Sequence, residues 1–237
     1  MQLVFVDETG DQENKKYFGL ALALIDSSHY SLIKSNFQNI LISNGWNQKI
    51  EFKGSCLFSS SKGDPNIDIA KRIEICSRVL ALNKAKKNAR IKFSYVKIES
   101  SNDKDASYLK YLPKLLNRVL IKAKKKNGKD LLSISCDERQ NINRENIYHS
   151  VKGVVSLKGY KLFEDISISK SNFETVGILY ADLVGYLFGR IDNMTKDIDL
   201  FESLTPEQIE NNHRIRKLKT STELLELLKV FDAYKVE

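Results

Sequence analysis

Apolar residues along the chain come in short dense runs separated by polar turns, and the spacing inside each run predicts an element. Residues 2–6 and 17–25 are nearly continuous β-forming runs with a polar, glycine-containing stretch between them, which predicts a hairpin of two buried strands. Leu32, Ile33, Phe37, Ile40 and Leu41 recur at helical spacing and predict a helix over 30–42. A Ser-rich loop over 54–62 follows. A second helix is expected to open at Asp64-Pro65, since Asp suits the N-cap and Pro the first turn, with Ile69, Ile73, Cys76, Val79 and Leu80 as its buried stripe. Residues 90–98 alternate as a strand, with Ile91, Phe93 and Tyr95 on one face.

Farther along, Tyr108, Leu112, Leu115, Leu116, Val119, Leu120 and Ala123 predict a helix over 107–126. Pro113 sits awkwardly inside it, so the regular part is expected to begin there. Residues 130–136 form another buried strand, 160–169 a further one, and 173–190 a strongly apolar helix. In the tail, Thr205-Pro206-Glu207-Gln208 opens a helix, a basic link spans 214–219, and Thr220 with Glu223 has capping-box spacing before a helix over 222–234. No repeat and no linker is visible. Strands and helices alternate loosely, so the fold class is α/β, with residues 1–195 as one domain and 196–237 as a C-terminal helical extension packed on it.

Composition narrows the class. The 237 residues are 42% hydrophobic, which suits a folded chain with a sizeable core. No basic region precedes the first apolar run, and no run reaches the roughly 18 residues of a membrane span, so a soluble, cytoplasmic protein is expected. Cys56, Cys76 and Cys136 are odd in number and widely spaced, which gives neither a disulfide framework nor a zinc site. The formal charge is +8 and unevenly spread: residues 84–129 carry fifteen Lys or Arg against three acidic residues, a local +12 that leaves the rest at −4. Such a segment reads as a phosphate-backbone surface or as a solvated Lys-rich face. Lys110, Lys114, Arg118 and Lys122 recur every four residues and would form one basic stripe of nucleic-acid contacts, joined by Lys53.

Four carboxylates are the candidate chemistry. Asp7 and Asp137 each end a buried strand, where α/β sheets gather ligands, although Asp also commonly starts a turn there. Asp182 lies inside Val-Gly-Ile-Leu-Tyr-Ala-Asp-Leu-Val-Gly-Tyr, a helix apolar on nearly every face, so its charge must be paired, protonated or bound to metal. Gly177, Ala181 and Gly185 share one face and would let that helix approach the sheet closely. Glu51 follows the first helix and is the fourth candidate. Hard oxygen donors without His or Cys select Mg²⁺ or Mn²⁺, and a pair of such ions serves phosphodiester hydrolysis.

Other chemistries find little support: there is no phosphate-loop or dinucleotide glycine motif. His29, His149 and His213 lack ligand spacing, and only His149 is kept as a candidate proton shuttle. Cys136 reads as a packed thiol.

The motifs Val-Phe-Val-Asp7-Glu8-Thr9-Gly10, Glu51-Phe52-Lys53-Gly54, a strand ending in Asp137, and Tyr180-Ala181-Asp182-Leu183 together resemble the domain of unknown function 3800 family, whose members open with Asp-Glu-Ser-Gly. Thr9 stands where that family has Ser. The resemblance covers about residues 2–190 and implies an RNase H-like mixed central sheet flanked by helices. It also implies metal and catalytic roles for Asp7, Glu51, Asp137 and Asp182, with Glu8 as an auxiliary metal ligand. A metal-dependent nuclease is the expected function. The alternatives are an inactive RNase H-like module that binds nucleic acid or protein, and a phosphotransferase acting on a small substrate, which the +12 segment disfavours.

Overall fold

The N-terminal hairpin expected from the sequence is the spine of a mixed sheet. The computed structural model describes residues 1–10, 17–57, 59, 61–84, 91–99, 103–123, 130–139, 141–195 and 233–235. Its strands are β1 (Gln2–Gly10), β2 (Tyr17–Asp26), β3 (Ile91–Glu99), β4 (Asp130–Asp137), β5 (Tyr160–Leu162), β6 (Ser167–Ser169) and β7 (Ala233–Lys235). Its helices are α1 (Ser27–Ser43), α2 (Ile69–Ala81), α3 (Lys104–Val119), α4 (Arg144–Leu157) and α5 (Val176–Thr195). The strands lie in the order β5-β4-β1-β2-β3-β7, and β6 also pairs with β4. β1, β2 and β3 are antiparallel neighbours, while β4 runs parallel to β1 and pairs in parallel with β5 and β6. This is a mixed central sheet flanked by helices, as the RNase H-like reading expects.

The sheet separates two apolar layers. Phe5, Ala23, Ile25, Ile91 and Phe93 face α1, α2 and α5, whereas Val4, Val6, Leu20, Leu22, Val96, Leu132 and Cys136 face α3 and α4. β2 is therefore covered on both faces, which explains why its sequence is apolar almost without alternation.

Several boundaries differ from expectation. α2 starts at Ile69 under an Asp68 cap whose side chain accepts from Lys71 N, not at Asp64-Pro65. Asp64 is instead turned inward, accepting from Asn47 N at 2.8 Å and Asn66 N at 2.9 Å. Ile69 is exposed and Arg72 takes an inward position on α2. α3 begins at Lys104 under an Asp103 cap, continues through Pro113 and stops at Val119. Leu112, Leu115 and Leu116 are fully buried, and this packing sustains the helix across the hydrogen bond that proline cannot donate. Lys122 thus lies beyond the helix. α4 was not predicted; it is set by an Asn143–Asn146 capping box and buries Ile147, Val151 and Val155. Residues 160–169 form two short strands rather than one. The tail helices over 205–232 lie outside the described residues, and Ala233–Lys235 pairs in parallel with β3 instead of ending a helix. Among the described residues no helix is long and apolar enough to cross a membrane.

Candidate metal centre

Asp7 and Asp137 occupy adjacent strands at one end of the sheet. β1 and β4 pair in parallel with Val6 opposite Cys136, so the next residue on each strand is an aspartate. Val6 and Cys136 turn toward α3 and α4, and alternation sends both carboxylates to the α5 side. α5 can rest on that face because small residues leave room. A Cβ on Gly177 would come within 2.3 Å of the Phe5 ring, and one on Gly185 within 2.7 Å of Ala21 Cβ. The close approach expected of the Gly177–Ala181–Gly185 face is therefore present, and it delivers Asp182 to the cluster.

The fourth carboxylate comes from the segment between α1 and α2. Phe52 is buried against the rings of Trp46 and Phe37, and alternation turns Glu51 and Lys53 the other way, together. Lys53 Nζ lies 2.9 Å from Glu51 Oε2. Ser171 joins two of the acids: its Oγ donates to Glu51 Oε1 and its N–H donates to Asp137 Oδ1 at 2.9 Å. Gly54 N–H donates to Asp182 Oδ2 at 2.7 Å, and Glu8 N–H to Asp7 Oδ1 at 2.7 Å. The structure thus brings Asp7, Glu51, Asp137, Asp182 and Lys53 into one electrostatic cluster.

Their charges oppose one another. Asp7 is only 5% exposed, and burial first, then the Asp182 and Asp137 charges, push its carboxyl well above the usual range. Burial also pushes Asp182 up to about 6, with Glu51 and Asp137 adding to the shift and the Gly54 N–H and Lys53 opposing it. Asp137 is raised by burial against the pull of the Ser171 and Glu138 N–H groups and Lys53. Burial lowers the Lys53 ammonium, but the Glu51 bond and charge, then Asp182 and Asp7, more than offset this and raise it overall. One ammonium is therefore shared by four carboxylates.

The donor set is all oxygen, charged and mutually repelling, which is the chemistry that suits a hard divalent cation. Among the described residues no three Asp, Glu, His or Cys side chains stand close enough to clasp one ion as placed here. As bonded, Glu51 spends both oxygens on Lys53 and Ser171, while each aspartate gives one to a backbone N–H.

Other expected residues lie elsewhere. Glu8 follows Asp7 on β1, so it faces the opposite side of the sheet, where it pairs with Arg139; Arg139 Nη2 also holds Asp105 at 2.6 Å. Lys110, Lys114 and Arg118 are exposed on α3, which packs on the sheet face away from the carboxylates, and Lys122 is exposed just past it. His149 is exposed on α4, beside Lys152 and Glu145. Cys136 is fully buried, and burial pushes its thiol up to about 12. Sequence reading missed Ser171 and the Gly54 N–H. Ser171 sits in a short polar loop with nothing to distinguish it, and a backbone donor leaves no residue-type signal.

No family model and no curated protein matches the chain. Solved structures similar to it include a chain of the PCNA–RNase HII complex from Archaeoglobus fulgidus, with a TM-score of 0.45 and 8% identity over 96% of this chain and 91% of that one. Ribonuclease H2 from Pyrococcus horikoshii OT3 is similar with a TM-score of 0.44 and 13% identity, over 97% of this chain and 99% of that one. At that distance the chemistry of the site rests on this chain's own residues.

Proposed function

We propose that this chain is a divalent-metal-dependent nuclease that hydrolyses phosphodiester bonds at the Asp7–Glu51–Asp137–Asp182 cluster, as the motif resemblance to the domain of unknown function 3800 family also implies. The observation that carries the reading is the convergence of carboxylates from β1, β4 and α5 with burial that raises three of them. Such an arrangement opposes folding by like-charge repulsion, and bound cations would relieve it.

Asp7, Asp137 and Asp182 would hold the cation after closing on it from their present positions, and Glu51 would join them once turned from Lys53. Bound Mg²⁺ or Mn²⁺ would supply Lewis-acid stabilisation of phosphoryl charge and activation of a water. Ser171 and Gly54 fix Asp137 and Asp182 in place. Freed of Glu51, the Lys53 ammonium would attract and orient a phosphate oxygen of the strand. A polymer substrate, favoured over a small one by the Lys-rich 84–129 segment, would have to reach both the cluster and the opposite face of the sheet, where Lys110, Lys114 and Arg118 lie.

A second reading is an RNase H-like module that binds nucleic acid or protein without cutting, and the tying of Glu51 to both Lys53 and Ser171 favours it. Incubation of the full chain with labelled single- and double-stranded DNA and RNA, with Mn²⁺ or with chelator, separates the two. The nuclease reading expects Mn²⁺-dependent products that Asp182→Asn abolishes. Strand binding without products under every condition would leave the module.

A further inference from the structure

Arg72 is a guanidinium on the apolar side of α2, only 4% exposed, and among the described residues it meets no carboxylate. Its fork spans five backbone carbonyls of the preceding segment. Nε donates to Ile67 O at 2.8 Å; Nη1 contacts Cys56 O at 2.9 Å, Ser59 O at 2.7 Å and Lys62 O at 2.6 Å; and Nη2 donates to Asp64 O at 2.7 Å. Carbonyls of residues 56, 59, 62, 64 and 67 are therefore gathered around one buried cation. Gly63, at φ +90°, lets them close in, since a Cβ there would stand 3.1 Å from Nη1.

That segment is the support of the candidate site. Cys56 N–H donates to Lys53 O at 3.0 Å and Leu57 N–H to Gly54 O at 3.1 Å, so the turn gripped by Arg72 at Cys56 O is the turn that presents Lys53 and Gly54. Gly54 in turn holds Asp182, and Lys53 holds Glu51. Burying a guanidinium carries a desolvation cost that apolar packing would avoid, and only a planar multi-donor fork reaches carbonyls in so many directions.

We propose that Arg72 is a positioning residue of the carboxylate centre: by gripping the turn at Cys56 and the carbonyls of residues 59, 62, 64 and 67, it sets Glu51, Lys53 and Gly54 against Asp182 and so tunes cation binding. The inference rests on the metal reading above.

The test is Mn²⁺ titration calorimetry on the full chain for wild type, Arg72→Lys and Arg72→Met, with Val151→Ala as a destabilised control on the opposite face. Amide hydrogen exchange at Gly54 and Leu57 is followed in metal-free samples. The expected result is a loss of Mn²⁺ affinity of roughly 10-fold or more in Arg72→Met, the size usual for partners that orient metal ligands. Arg72→Lys, which keeps the charge and loses the fork, should lie nearer Met than wild type, and Val151→Ala should bind as wild type. Exchange at Gly54 should quicken in both Arg72 variants. Should Arg72→Met fail to fold, Arg72→Lys alone decides. Wild-type affinity in the Arg72 variants, or an equal loss in Val151→Ala, would overturn the proposal. Absence of Mn²⁺ binding in wild type would overturn the metal reading instead, and unchanged Gly54 exchange would then overturn the role of Arg72 independently.

Discussion

Gly54 N–H donates to Asp182 Oδ2 at 2.7 Å, and it reaches that oxygen only because Gly54 has no side chain: a Cβ there would stand 2.3 Å from Tyr186 Cβ. Gly54→Ala should push the loop off α5, costing about 1–3 kcal/mol of stability by overpacking. It should also blunt the Mn²⁺-induced rise in Tm, which thermal melts with and without the ion measure. Wild-type stability would show that the loop has room the structure does not show.

Asp7→Asn and Asp182→Asn should each abolish metal-dependent cleavage and leave the fold intact. An amide keeps the shape but removes the charge that attracts the cation. In metal-free protein each change also removes a repelling carboxylate, so Tm without metal should hold steady or rise. Equal Mg²⁺-induced stabilisation in wild type and both variants would remove these residues from the metal centre.

The raised carboxyls set a pH dependence. Asp182 in the folded protein is pushed up to about 6, above the unfolded value, so folded protein binds protons that unfolded protein has released. Its contribution is fully present below about pH 4 and is lost as pH rises through about 6, a difference of about 2–3 kcal/mol at 1.36 per unit. Asp7 acts in the same direction. Metal-free Asp182→Asn should therefore gain on wild type as pH rises from about 4 to about 7, the window over which that carboxyl loses its proton. A constant gap between the two across that window would contradict the shift.

If the α3 stripe touches phosphates, Lys110→Gln with Lys114→Gln should weaken binding to unrelated sequences by similar factors. The double change should flatten the slope of log K against log salt by about one to two units. Since the stripe and Lys53 lie on opposite faces of the sheet, its effect should add to that of Lys53→Gln rather than replace it. Binding isotherms at several salt concentrations decide. An unchanged slope would move the nucleic-acid surface off α3.

Much of the site was legible because its residues break local rules. Asp182 stands in a helix otherwise apolar, a visible cost that demands a reason. Asp7 and Asp137, by contrast, end runs of β-formers, where Asp also commonly starts a turn; β1 in the structure runs on past Asp7 to Gly10. Glu8 entered only through the motif resemblance, and a motif match does not register the alternation that sends it through the sheet to Arg139. The start of α2 misled for a related reason. Asp64 has the chemistry of a cap, but its carboxylate is spent on Asn47 and Asn66, while Asp68 does the capping. α4 went unseen because its buried positions, Ile147, Val151 and Val155, are sparse among polar residues. The ties made by Ser171 and Arg72 run to distant residues or to backbone atoms, and no local pattern encodes them.

The seating of α5 on β1 also orders events in time. β1, β2 and β3 pair as successive antiparallel strands, with a short connection between the first two, whereas Asp7 and Asp182 are brought together across most of the chain. Local pairings close early and distant ones late, because the entropy of closing a long loop must be met before its contacts form. The repulsion between Asp7 and Asp137 arises when β4 pairs with β1, whereas the repulsion that involves Asp182 arises only when α5 docks. A cation that neutralises the cluster would act chiefly on the docking of α5 and of β4 and on the rate at which α5 lifts away, leaving the pairing of β1, β2 and β3 untouched.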